Sequence, residues 1–175
     1  MEKKICRFKV ILDYLDQKPV ITEFSDRLLI QKLIYFVQFA GINLGYRHSW
    51  YLHGPYSPEL TKTAYGYFEN EKLYNEKAKQ YQVSSKGKNK LNHVKDLIAE
   101  KPDDMELCDW LELLSSIHYL IHIAYYSGTR DRNMAFITEK LRESGKARFT
   151  DEQIKAAWEY LEKQGLTKSK MWSLS

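Results

Sequence analysis

The sequence predicts a mainly α fold with a minor β part: a compact helical domain with a winged-helix-like core and a small antiparallel β-hairpin. Three observations predict it. Apolar residues recur at spacings of three and four along most of the chain. Strand-like composition is confined to two short pieces, 46–53 and 73–85. Helix start and stop signals fall between the periodic stretches. The order helix 26–41, extended segment 46–53, helix 57–70, hairpin 73–85, helix 86–100 is winged-helix-like.

Residues 3–17 place Ile5, Phe8, Ile11, Leu12 and Leu15 on one side of an amphipathic helix, and Lys18-Pro19 ends it. The stretch 26–41 is more strongly apolar. Leu29, Leu33, Phe36, Val37 and Ala40 line one side, while Leu28, Ile34, Tyr35 and Phe39 spread apolar surface around it. A helix apolar on most sides belongs at the centre of a fold. Ser25 or Asp26 is the candidate cap at its start, and Gly41 closes its end.

Residues 46–53 are aromatic and poor in helix formers, so they read as a short extended segment. The turn Gly54-Pro55-Tyr56-Ser57-Pro58 follows. Ser57 suits the N-cap of the next helix and Pro58 its first position, where the missing N–H costs nothing. That helix carries Leu60, Ala64, Tyr67 and Phe68.

Residues 73–85 read as a polar-tipped hairpin, and Lys86-Gly87-Lys88 opens a helix through Leu91, Val94, Leu97 and Ile98 that Pro102 breaks. Asp103 or Asp104 is expected to cap a long helix carrying Leu107, Leu111, Leu114, Ile117, Leu120, Ile121 and Ala124. A loop is expected at 127–134 and a short helix at about 135–144. Thr150 with Gln153 forms a capping box for the last helix, whose stripe is Ile154, Ala157, Trp158 and Leu161 and whose stop is Gly165. With no repeat or linker, the 175 residues read as one domain: a winged-helix-like core at about 20–100 and C-terminal helices at about 103–166.

Composition bounds the function. Hydrophobic residues are 43% and charged residues 29%, as in a globular chain. Lys+Arg is 27 against Asp+Glu 23, a net of +4 that permits nucleic-acid contact without arguing for it. Cys6 and Cys108 stand far apart with no CxxC, so reduced thiols and a cytoplasmic location are expected. No apolar signal core follows the N-terminus, and no run approaches the ~18 apolar residues of a membrane span.

At Gln31-Lys-Leu-Ile-Tyr-Phe-Val-Gln38 and Tyr51-Leu-His-Gly-Pro-Tyr-Ser-Pro-Glu-Leu60 the chain resembles the Panacea (SocA-like) antitoxin domains, and still more their YwgA-like relatives. The likeness continues at Trp110–Leu120 and from Phe149 into the closing helix, so it covers most of the chain in order. The Gly-Pro pair is its most specific element. The resemblance implies a cytoplasmic prokaryotic protein of toxin–antitoxin or phage-defence loci. Panacea-type members neutralise a toxin by direct contact, and one type delivers a toxin to a protease.

No catalytic constellation emerges. His118 and His122 stand at i and i+4, a zinc-capable spacing, but Tyr119 occupies the place of the glutamate in HExxH, so two hydrogen-bonded helix histidines are expected. Cys108 and His118 are about 15 Å apart by helical rise, too far for proton transfer. No cofactor and no metal is expected. The remaining signal is aromatic surface. Tyr46, Trp50, Tyr51, Tyr56, Tyr65 and Tyr67 cluster about the Gly-Pro turn, with Arg47 beside them, in the composition of an interface hot spot. The expected partner-binding residues are Tyr46, Trp50, Tyr51, Gly54, Pro55, Tyr56 and Ser57, with the Gly-Pro turn at the surface.

Two functions follow. The first is a non-catalytic protein-binding module, antitoxin-like or an adaptor. A structural subunit of a larger defence complex is not separable from it. The second is a winged-helix DNA-binding regulator using Lys77, Lys79, Lys86, Lys88 and Lys90 of the wing and its exit. Helix 57–70 weakens the second, because Glu59, Glu69 and Glu71 oppose a single Lys62 where phosphate contacts belong.

Overall fold

The computed structural model describes residues 1–18, 20–128 and 131–173. Two helices form its axis. Helix α2, Phe24–Phe39, buries Leu28, Ile30–Val37 and packs along α6, Leu107–His122, in which Trp110–Ile121 are all buried. The apolar residues all round α2 leave it no solvent face of any width, which is why it sits inside. Its start is fixed by a capping box between Glu23 and Asp26, rather than by a cap at Ser25 or Asp26. Gly41 follows its C-cap at φ +93°, as expected of a helix stop.

Around this axis lie α1 (Glu2–Tyr14), α3 (Pro58–Glu69), α4 (Glu71–Ala78), α5 (Ser85–Ala99), α7 (Met134–Glu143) and α8 (Asp151–Lys163). Helix α1 ends at Tyr14, before Lys18; Pro19, read as its terminator, lies outside the described residues. Ser57 caps α3 with Pro58 at its first position, and the Thr150–Gln153 box opens α8, both as read from the sequence. The 127–134 loop precedes α7, with Thr129 and Arg130 outside the described residues. One core cluster runs from Ile5 to Trp172.

The β-hairpin exists, but not at 73–85. Its strands are β1 (Ser49–Tyr51) and β2 (Gly54–Tyr56), paired antiparallel with Tyr51 opposite Gly54 and a two-residue turn at Leu52-His53. Gly54 holds φ +82°, which a side chain resists. The expected wing is instead helix α4. Glu71, Lys72, Leu73, Glu76, Lys77 and Ala78 are good helix formers, and α4 packs on α1 and buries Ala78. Tyr81–Val83 has no regular structure before Ser84 caps α5. The winged-helix-like order therefore fails at its wing, although the mainly helical fold with one small hairpin stands.

The start of α6 is a second correction. Asp103 and Asp104 lie in a turn, and Glu106 takes the N-cap. Met105 N–H donates to Pro102 O (3.2 Å) and Lys101 Nζ to Met105 O (2.7 Å), so the chain turns once more to bury Met105 before the helix begins.

Candidate functional site: a cationic-floored cleft

The hairpin is held against α2 by side chains that imitate backbone. Gln31 Nε2 donates to Ser57 O and Ser57 N–H donates to Gln31 Oε1, both at 2.9 Å. Two turns further along, Gln38 brackets Tyr46 in the same way, again with two 2.9 Å bonds. The two glutamines stand seven residues apart, so they share a face of α2. Between them in sequence, Lys32 Nζ donates to Pro55 O at 2.6 Å. From the other side, α6 meets β2, and the Gly54 backbone presses on Ser116: a Cβ there would lie 2.5 Å from Ser116 Oγ.

These contacts bury the turn that was expected to be exposed. Gly54, Pro55 and Ser57 are buried, Ser57 wholly so. The reason is that both flanks of β2 are covered, by α2 and by α6. Tyr46 is also buried, with its hydroxyl donating to Thr63 Oγ1 at 3.1 Å. Trp50 is half-buried, its ring 5.5 Å from that of Tyr119. Tyr67 packs on Phe8 in the core. Of the seven residues expected to bind a partner, Tyr51, Gly54 and Tyr56 line the cleft beside the hairpin, and only Tyr51 is exposed.

That cleft has a volume of about 400 Å³, between the start of α2, the hairpin and α3. Phe24, Tyr51, Leu52 and Tyr65 rim it, with 53%, 60%, 74% and 43% of their surface exposed. Leu28, Ile30 and Ala64 form apolar wall, and Lys32 lies at its floor. The rim is ordered by ring contacts: Tyr51 lies 5.5 Å from Tyr56, and Phe24 meets His53 edge-on at 4.9 Å.

The hairpin tip is tied to a buried ionic cluster. Lys146, 2% exposed, donates to Leu52 O (2.9 Å) and to Glu112 Oε1 (2.7 Å). Arg148 donates to Glu112 Oε2 at 2.8 Å, and His53 Nδ1 lies 3.4 Å from the same oxygen. Burial pushes the Glu112 carboxyl up, but the Lys146 hydrogen bond and charge, then Arg148 and His53, outweigh it and hold it below its usual range. Burial draws the Lys146 amine down, and the Glu112 contact works against that. Lys32 has no such partner. Burial, with Lys146 adding to it and Glu112 opposing, brings its amine down to about 7.

The histidine pair has a structural use. His118 Nε2–H donates to Lys170 O (2.9 Å), leaving Nδ1 to accept from the Tyr35 hydroxyl (2.8 Å). His122 Nε2–H donates to Leu166 O at 2.6 Å. Both rings thus hold the C-terminal strap, residues 166–172, whose Trp172 packs on Phe36 and stacks on His93. Among the described residues, no group of three His, Cys, Asp or Glu is placed to hold a metal ion, and no helix is long and apolar enough to cross a membrane.

The lysines of the DNA-binding alternative are dispersed. Lys77 of α4 pairs with Glu2, and Lys79, just past α4, pairs with Glu76 (2.7 Å). Lys90 donates to Gly41 O at 2.6 Å. Lys86 and Lys88 are exposed on the first turn of α5.

Sequence reasoning missed Gln31, Gln38, Lys32, Glu112, Lys146 and Arg148 as builders of the site. One signal was readable: Gln31, Lys32 and Gln38 are polar residues in a helix apolar on most sides, and polar groups there need internal partners.

No family model matches the chain, and neither a curated protein nor a solved structure matches it significantly.

Proposed function

We propose that the protein is a non-catalytic protein-binding module that grips a partner protein with the rim of the cleft. It acts as an antitoxin-like or adaptor protein of a prokaryotic toxin–antitoxin or phage-defence locus, in the cytoplasm. One observation carries the binding reading. Four exposed large apolar side chains, Phe24, Tyr51, Leu52 and Tyr65, converge on one concave apolar surface instead of scattering. Clustered aromatics around a cleft are the make-up of a binding hot spot, and isolated exposed apolar residues are not. The antitoxin part of the reading rests on the likeness of the Gln31–Gln38 and Tyr51–Leu60 segments to Panacea domains. The DNA-binding alternative has lost its wing to α4.

Co-expression with the product of the neighbouring gene, followed by affinity purification and titration, tests the proposal. The neighbour is expected to co-purify. Leu52→Asp and Tyr51→Ala, both at exposed positions, are expected to leave the thermal midpoint unchanged and weaken binding by at least about thirty-fold. Lys86→Glu with Lys88→Glu should leave binding intact. Binding that survives both rim substitutions, or fails with the two lysine changes, overturns the reading.

A further inference from the structure

Lys32 is an anomaly at the centre of the cleft. It is 1% exposed and lines the floor. Its ammonium has three donors, and the acceptor it meets is a neutral one, Pro55 O at 2.6 Å. Among the described residues, no carboxylate lies within 4.0 Å of it, whereas the other buried lysine, Lys146, has Glu112. Glu112 reaches Lys32 only through space, and its two oxygens are already held by Lys146 and Arg148. A buried cation without a counter-charge is costly, and a protein normally avoids that cost by pairing it.

The lining adds one further fixed positive charge, Arg27, and no negative one. Arg27 and His53 are the other basic groups on the cleft wall, and no Asp or Glu lines it. Arg27 is held in place by its bonds to Ile21 O (2.9 Å) and Thr22 O (3.2 Å). The apolar walls lower the local dielectric, so an anion admitted to this floor would interact far more strongly than one at the surface.

We propose that the partner segment received by this cleft brings a carboxylate to Lys32, carried beside an apolar side chain that packs between Phe24, Tyr51 and Tyr65. This deepens the docking reading and rests on it. The occupant is an acidic, aromatic or aliphatic segment of a protein, with charge complementary to Lys32 and Arg27. With the cleft empty, burial holds the Lys32 amine only partly protonated near neutrality; an arriving carboxylate restores its charge and forms a short, charge-assisted hydrogen bond.

A titration of the full chain followed by amide NMR tests this with two probes, 3-phenylpropionate and its neutral isostere 3-phenylpropanamide. Both are expected to shift amides of residues 51–54, Tyr56, Leu28 and Thr61, and the acid is expected to bind about ten-fold tighter than the amide. In Lys32→Met that preference should vanish while the amide still binds. Lys32→Gln serves the same purpose if the methionine variant loses its dispersed spectrum. Equal affinity for the two probes, shifts that map away from the cleft, no shift at all, or a preference that persists without Lys32 overturns the proposal. A partner that needs Tyr51 and Leu52 but binds Lys32→Met undiminished overturns the carboxylate and leaves the docking reading standing.

Discussion

Lys32 also sets a pH signature of its own. Its amine titrates at about 7 in the fold against an ordinary value of 10.5. Between those two values the unfolded chain binds a proton that the folded chain does not, so stability rises with pH across that window. Below about pH 7 the penalty of the buried charge is present in full. Urea unfolding at pH 6.5 and 9.5 is expected to show the wild type gaining on Lys32→Met by on the order of 3 kcal/mol. An equal pH response in both proteins refutes the assignment. The variant loses the bond to Pro55 O at both pH values, so that loss cancels in the comparison. Lys32 illustrates how far single residues could be read from sequence. Its place in an apolar helix marked it as needing a partner, but the partner is a carbonyl 23 residues away that only the hairpin brings near. Glu112 is harder still: its cations, Lys146 and Arg148, are more than thirty residues away on another loop. Such pairs depend on tertiary geometry that local pattern does not encode.

At the scale of elements, periodicity succeeded wherever burial was one-sided or complete. Helices α2, α3, α5 and α8 fall within a few residues of their expected bounds, and the caps at Ser57 and Thr150 are those read from the sequence. Short segments failed, because local propensity and tertiary position compete there. The piece 73–85 has strand-like tyrosines at Tyr74 and Tyr81, yet its first half is a helix packed on α1. The hairpin formed instead where Gly54 supplies the positive φ that its turn requires. The C-terminal strap was not foreseen at all. It has no periodicity, being fastened by His118 and His122 to its carbonyls and by Trp172 in a slot formed by Phe36 and His93. Trp172→Ala should therefore cost about 3–5 kcal/mol, as for a large side chain removed from a core. Denaturant unfolding measures that cost, and hydrogen exchange at 166–172 should accelerate more than in α2. A loss below about 1 kcal/mol would mean that the strap lies outside the cooperative unit.

Over the whole molecule, the shifted histidines and Lys32 make stability climb from acid to mild alkali, and the buried cysteines and tyrosines, raised by burial, reverse that trend above it. Burial, helped by the neighbouring His122, lowers His118 to about 3; burial, helped by Lys32, lowers His48 to about 4. His122 is lowered by burial too. The unfolded chain takes up these protons near pH 6.5, and the folded one resists them, so stability falls as pH drops from about 6.5 toward 3. Glu112, whose folded pKa is depressed, adds to the loss below its ordinary value of 4.5. With Lys32 rising above pH 7, the profile climbs from acid to mild alkali, and the thermal midpoint is expected to peak near pH 9. Calorimetry from pH 4 to 9.5 checks it; a midpoint that is highest at or below pH 6 contradicts it.

Gly54 limits the mutational routes open to this protein. A side chain there meets two obstacles at once, the backbone at φ +82° and Ser116 Oγ at 2.5 Å. Exchanging Ser116 for alanine removes the second cheaply, because that hydroxyl is buried with no hydrogen-bond partner. The first obstacle remains, so no single permissive change opens position 54 to variation. The floor of the cleft is therefore slow to evolve, whereas Phe24, Tyr51, Leu52 and Tyr65 can be exchanged with little strain on the core. A lineage that must follow a changing partner would rewrite the rim and inherit the floor.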